Sequence, residues 1–131
     1  MKSLSQTYTI SASLSDVWDA LVNPKTIDAW GGGPHATMND QMGTQFKLWD
    51  GDIYGKNIEV VHQKLLRQEW FSGDWDEPSI VTFTLTHKDK QTIVHLDHTH
   101  IPDTEFTGIR DGWKEYYLIP IKELLENKKT I

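Results

Sequence analysis

The sequence contains no cysteine. Disulfides, thiolate nucleophiles and cysteine-based zinc ribbons are therefore excluded. Arginine is nearly absent: Arg67 and Arg110 are the only two, so forked recognition of phosphates has few candidates. Positive charge is outweighed, with 13 basic against 19 acidic side chains and a formal net charge of −6. That balance argues against a nucleic-acid or anionic-membrane surface. No apolar run approaches the length of a membrane span, and the start, MKSLSQTYTI, lacks the apolar core of a signal peptide. The expectation is a cytoplasmic protein. At 131 residues the chain fits one domain, 1–131, able to bury a core without staples.

The periodicity is richest in the last stretch, DGWKEYYLIPIKELLENK. Trp113, Tyr116, Tyr117, Ile121 and Leu124 recur at steps of three or four, the spacing of one helical face. Asp111 is the expected N-cap, Gly112 the start, and Pro120 the place where the helix bends. Such a stripe needs an opposing layer, and the preceding chain supplies it. Leu4 to Ile10 reads as a strand. Ser13 or Ser15 caps a short helix over 16–22, with Val17, Trp18 and Leu21 inward. Asn23-Pro24 opens a second short helix anchored by Ile27 and Trp30, and the Gly31-Gly32-Gly33-Pro34 run ends it as a flexible turn.

From His35 the period falls to two. Short strands are expected over 35–38, 43–49, 57–62, 65–71, 80–86 and 92–100. Val81, Phe83 and Leu85 alternate strictly with threonines, while Val94, Leu96, His98 and His100 share a face. Glu69 is out of phase with Trp70 and so falls on the other side. Successive strands with short loops pair antiparallel. The expected fold is α+β: a curved antiparallel sheet wrapped around one long C-terminal helix, with two short helices after the first strand. One helix does not fill a concave sheet, so a cavity between them is expected, a common place for a small molecule.

Several tempting clusters do not carry chemistry. His95, Asp97, His98 and His100 look like a metal set, but strand period puts His95 and Asp97 on the opposite face from His98 and His100, and two imidazoles do not complete a zinc site. Asp74, Asp76 and Glu77 sit with Gly73 and Pro78 in a hairpin tip and read as a solvated loop. The triple glycine lacks the Lys-Ser or Lys-Thr of a phosphate loop. No cofactor motif and no assured catalytic residue is present. The informative set is aromatic: Trp30, Phe46, Trp70, Phe83, Trp113, Tyr116 and Tyr117 are candidates to surround one apolar volume. Leu48, Val60 and Leu96 lie in phase with that wall, and His98 and Tyr117 are the candidate polar contacts.

Taken in order, these residues resemble the START-like, or SRPBCC, superfamily with its helix-grip, birch-pollen-allergen-like fold. Within it they resemble the proteins named for the activator of the heat-shock-protein-90 ATPase. Ser13, Ser15, Val17, Trp18, Ala20 and Leu21 match the opening pattern. Pro24, Ile27 and Trp30 match the second short helix. Gly43, Phe46, Gly55, Val60 and Trp70 match the hairpin region, and Gly112, Trp113, Tyr116, Leu118, Leu124 and Leu125 the closing helix. Gly31 to Gly33 depart from the family, whose members often carry a second aromatic there, which bears on the shape of the cavity mouth.

The resemblance implies the helix-grip fold and leaves three functions open. One is a binding domain for an apolar or aromatic small molecule. Another is a cyclase- or aromatase-like enzyme using the same cavity, which needs a convergent acid–base pair. The last is a co-chaperone-like module with a protein partner, a role that in relatives also draws on a further domain. No heptad or unusually apolar exposed helix fixes the oligomeric state.

Overall fold

A computed structural model describes residues 1–128. The elements follow in the order β1 (Lys2–Ile10), α1 (Leu14–Val22), α2 (Pro24–Trp30), β2 (Gln45–Leu48), β3 (Ile53–Val61), β4 (Leu65–Ser72), β5 (Ser79–Lys88), β6 (Gln91–Ile101) and a C-terminal helix. The strands form one six-stranded sheet in the order β1-β6-β5-β4-β3-β2, antiparallel throughout. This is the helix-grip architecture, with the two short helices after the first strand.

Local chemistry sets the boundaries. Ser13, rather than Ser15, caps α1: its hydroxyl accepts from the Asp16 N–H at 3.1 Å, satisfying a donor the helix leaves orphaned. Asn23 does the same for α2 toward the Lys25 N–H, and Pro24 follows at the first turn, where its missing donor costs nothing. Gly31 ends α2 in the left-handed region at φ 108°, the usual glycine stop. Gly32 is buried, and its carbonyl accepts the Trp49 N–H at 2.7 Å. The glycine run expected as a flexible turn is thus a fixed anchor for the segment after β2.

Two strand expectations change. The stretch 35–38 contributes only an isolated bridge, Thr37 to Lys47, because the Ala36 N–H goes to the Asp28 carboxylate at 3.0 Å instead of a ladder. Strand β3 begins at Ile53, four residues earlier than expected, since Ile53 pairs with Leu48 and builds the β2–β3 hairpin. Gly55 belongs to that hairpin for steric reasons: a Cβ there would lie 1.8 Å from the Glu69 carbonyl oxygen. The strict alternation of β5 holds, with Val81, Phe83 and Leu85 buried. In β6 it holds through His98 and then breaks. His100 adopts φ 61°, the left-handed region that disrupts the pleat, so His100 faces solvent and Ile101 takes the inner place.

The C-terminal helix differs most from expectation. It starts at Phe106, not Asp111, after a single tight turn over Asp103–Glu105. Asp111 therefore sits inside the helix, paired with Arg110 at 3.1 Å, and Gly112 is an interior residue. The helix runs as α3 (Phe106–Gly112), a wide π segment (Trp113–Leu118) and α4 (Ile119–Lys128). The widening directly precedes Pro120. A proline has no N–H to give and its ring crowds the carbonyl four residues back; here the Ile119 N–H reaches five residues back to Lys114, the π-type bond found at such interruptions. The extra residue per turn rotates the face. Trp113, Tyr117, Leu118, Ile121 and Leu125 are buried, whereas Tyr116 is 64% exposed and Leu124 only half-buried.

Gly108 lies inside this helix. A Cβ there would meet nothing within 4 Å, and its φ is ordinary. Gly108→Ala should stabilise the protein by about 0.5–1 kcal/mol through helix propensity alone, read as a rise in urea midpoint. An unchanged midpoint would mean that the helix begins after this position.

Candidate functional site

The concave sheet face is mostly filled. Phe46, Leu48, Leu66, Phe83 and Leu96 are each 1% exposed or less and form the layer under the helix with Val81 and Val94. The open volume lies at one end, where the first half of the C-terminal helix passes the β2–β3 connection. This pocket, ≈ 380 Å³, is lined by Trp49, Asp52, Ile53, Trp70, Gly108, Ile109, Gly112, Trp113, Tyr116 and Tyr117. Gly108 and Gly112 carry no side chain to fill it, so two residues poor at making helix leave room beside one.

The rings of Trp70, Trp113 and Tyr117 are packed on one another. Trp70 and Trp113 stack with centroids 4.6 Å apart, and Tyr117 lies tilted 4.7 Å from Trp113. Trp49 approaches Tyr117 edge-on at 6.0 Å. Its backbone is unusual, with φ 49° at Trp49 and φ 56° at Asp50. A bulky residue rarely adopts the left-handed region, at a cost of about 1–3 kcal/mol, and such positions cluster at functional sites. The strain is held by the Gly32 carbonyl on the Trp49 N–H and by the hairpin pairing that begins at once with Ile53.

A buried polar chain fixes the inner wall. Trp113 Nε1–H donates to His98 Nδ1 at 2.9 Å; an indole only donates, so that ring nitrogen must accept. His98 Nε2 then carries the proton and donates to Ser79 Oγ at 2.8 Å, and the Ser79 hydroxyl donates to the Trp70 carbonyl at 3.1 Å. Every link is satisfied with His98 neutral. Burial lowers its pKa from 6.5 to about 3. A second chain runs from Trp70 Nε1–H to Gln68 Oε1, and from Gln68 Nε2–H to Asn57 Oδ1, both at 2.9 Å. The Asn57 amide continues to the Asn39 carbonyl at 2.8 Å. Both Trp70 and Trp113 are therefore held by buried hydrogen bonds as well as by packing. Tyr117 is the exception: its buried hydroxyl has no partner, and burial pushes its pKa well above the ordinary phenol range.

Of the residues singled out from sequence, Trp70, Trp113, Tyr116 and Tyr117 line the pocket, Tyr116 from its exposed rim. Trp30 packs behind it, 4.6 Å from Tyr117, with its indole N–H on the Ala20 carbonyl at 2.8 Å. Phe46, Leu48, Phe83 and Leu96 belong to the filled core, and Val60 is half-buried against it. His98 lies sealed behind Trp113 and Trp70. Trp49, Asp52, Ile53 and Ile109 also line the pocket, without a signal in the sequence periodicity. The one clue to Trp49 was a tryptophan at a strand end followed by Asp-Gly-Asp, and nothing in the pattern marked Asp52 as more than turn material. Gln68, Asn57 and Ser79 alternate in phase with the core, which marks their direction but not their partners. Among the described residues, no three His, Asp or Glu side chains gather as metal ligands, and Asp52 is the one carboxylate on the pocket lining.

A family profile described as "Activator of Hsp90 ATPase homolog 1-like protein" matches residues 11–126. The chain belongs to this family. It is similar to the human "Activator of 90 kDa heat shock protein ATPase homolog 1", at 28% identity over 117 residues, covering 88% of this chain and 34% of the human protein. It is also similar to the "Hsp90 co-chaperone AHA1" of Saccharomyces cerevisiae, at 24% identity, covering 87% of this chain and 35% of that one. The chain thus spans about a third of the length of these curated relatives. Among solved structures, an HSP90 activator from Plasmodium falciparum superposes with a TM-score of 0.89 at 23% identity, over 96% of this chain and 97% of the other. The Aha1 dimer from Colwellia psychrerythraea gives 0.81 at 18% identity, over 96% and 97%. These likenesses establish a shared fold.

The His98 chain makes a pH prediction. A histidine whose folded pKa is depressed binds its proton more readily when unfolded, so stability is full above pH 6.5 and declines as pH falls toward 3. The loss should approach about 1.4 kcal/mol per pH unit within that window. Urea melts of the wild type and of His98→Asn between pH 5 and 7.5 should differ in slope, the variant being flatter. Parallel slopes would mean that His98 is accessible to protons in the folded state.

Proposed function

We propose that this chain is a protein-interaction module whose partner is an Hsp90-type ATPase. The observation that carries the reading is the family match across residues 11–126, joined to relatives named as activators of that ATPase. Because the chain corresponds to about a third of those relatives, the proposal concerns the binding contributed by one module rather than the whole activator's effect. An exposed tyrosine on the C-terminal helix, Tyr116 at 64%, suits such a role, since tyrosine is enriched at interfaces. Calorimetry of the purified chain against a purified Hsp90 from the same source tests the reading, with the ATPase rate followed alongside. Saturable binding is expected. No heat and no rate change with both proteins well above micromolar concentration would sink it.

The pocket supports a second role, binding of a small molecule with an apolar body. Its support is an open volume of ≈ 380 Å³ beside three tryptophans in a core otherwise filled, within the size range of ligand sites. A ligand there should raise the thermal midpoint of the wild type by mass action. Gly112→Leu should remove that rise while leaving the fold intact, because a Cβ at Gly112 meets only Tyr116 Cδ2 at 3.9 Å. Equal shifts in both proteins would locate binding elsewhere. The lining offers no convergent acid–base pair, so catalysis forms no part of this proposal.

A further inference from the structure

The chemistry of the pocket lining is one-sided. It contains no Lys, Arg or His, and its one charged group is Asp52 at the mouth. The Asp52 side chain makes no hydrogen bond or ion pair with any described residue. The remaining surface is aromatic and aliphatic: Trp49 at the rim, Trp70, Trp113 and Tyr117 within, and Ile53 and Ile109 between them. Aromatic faces carry negative electrostatic potential and attract cations within about 6 Å of the ring centroid, most strongly at tryptophan. An anion would meet the same faces and the Asp52 carboxylate with nothing to balance it. A neutral apolar ligand would gain nothing from the Asp52 carboxylate, which stays exposed at the rim.

We infer that this pocket takes a small organic cation, an alkylated ammonium on an apolar body, with the charge at the rim beside the Asp52 carboxylate and the half-buried Trp49 ring and the apolar body against the stacked rings within. The inference rests on the small-molecule reading of the pocket and names the ligand class. A bare metal ion does not suit it, because the walls offer too few oxygens to replace a hydration shell. An alkylguanidinium does not suit it either: five N–H donors would face one carboxylate and a wall of rings. A quaternary or tertiary ammonium needs few hydrogen bonds and spreads its charge over methyl groups that pack on indoles. The strained backbone at Trp49 and Asp50 sets an aromatic face and a carboxylate three residues apart on the same lip.

The test uses benzyltrimethylammonium, its neutral carbon isostere neopentylbenzene and the anion 4-tert-butylbenzoate, each titrated by tryptophan fluorescence and ligand-detected NMR. The cation should bind about tenfold more tightly than the isostere, as a cation–π contact and a partly exposed ion pair together imply, and the anion should not bind. Asp52→Asn should weaken the cation about fivefold, the scale of a partly exposed ion pair, and leave the isostere unchanged. Raised salt should weaken only the cation. If the isostere binds as tightly as the cation, or Asp52→Asn changes nothing, the cation inference falls while the pocket remains a small-molecule site. If no probe binds the wild type, or all bind Gly112→Leu equally, the pocket reading falls with it.

Discussion

The contact on which the rest depends is the indole of Trp113, stacked 4.6 Å from Trp70 and hydrogen-bonded to His98 at 2.9 Å. It joins the C-terminal helix to β4 and β6 at once. A large apolar ring buried against a sheet supplies the driving force, and the single N–H bond fixes which way the ring lies. Orientation matters here because a helix on a concave surface can slide or roll. With Trp113 pinned, Tyr117 one turn later and Leu118, Ile121 and Leu125 beyond it fall over the core.

That pin leads into the buried polar groups. His98, Ser79, Gln68 and Asn57 are all fully buried, and each is accounted for by a hydrogen bond that leads to a tryptophan or a loop carbonyl. Buried polar groups are costly unless satisfied and rigid once they are. The two chains therefore act as positional constraints beneath the apolar layer. Around this rigid floor the pocket is bounded by elements of a different kind: a hairpin connection under backbone strain and a helix segment with two glycines. The layer under the helix is closed, and this pocket opens where the helix carries two glycines in place of side chains. That is why the open volume sits at one end of the helix and not along its whole length.

Much of this was legible in the sequence, and the failures share a cause. Alternation in β5 and most of β6, a serine cap on the first short helix, the start of the second at Asn23-Pro24 and its end at the glycine run follow from local chemistry and appear as expected. The exceptions arise where one residue departs from the regular period. His100 in the left-handed region turns itself outward and Ile101 inward. The π segment before Pro120 replaces the expected Tyr116 and Leu124 with Leu118 and Leu125. Reading a proline as a bend identified the right place but not the remedy, since widening a turn and bending it both relieve the clash. Asp111 and Gly112 read as a helix start because that is what an aspartate before a glycine usually is, and tertiary packing overrode the propensity.

What the sequence alone determined is the architecture: strand, two capped helices, a run of antiparallel strands and a closing amphipathic helix. Periodicity is a one-dimensional property, and burial of one face per element leaves few ways to assemble them. It also determined that the chemistry would be aromatic rather than thiol- or arginine-based, by composition. Only the tertiary structure decided which rings interlock and which border open space. That depends on the rotation of a helix over a sheet, and here one extra residue in a turn and two absent side chains set it. The partnership of Trp113 with His98 and the place of Trp49 and Asp52 on the pocket rim belong to the same class. Each joins residues far apart in the chain, through distances and directions that no local pattern encodes.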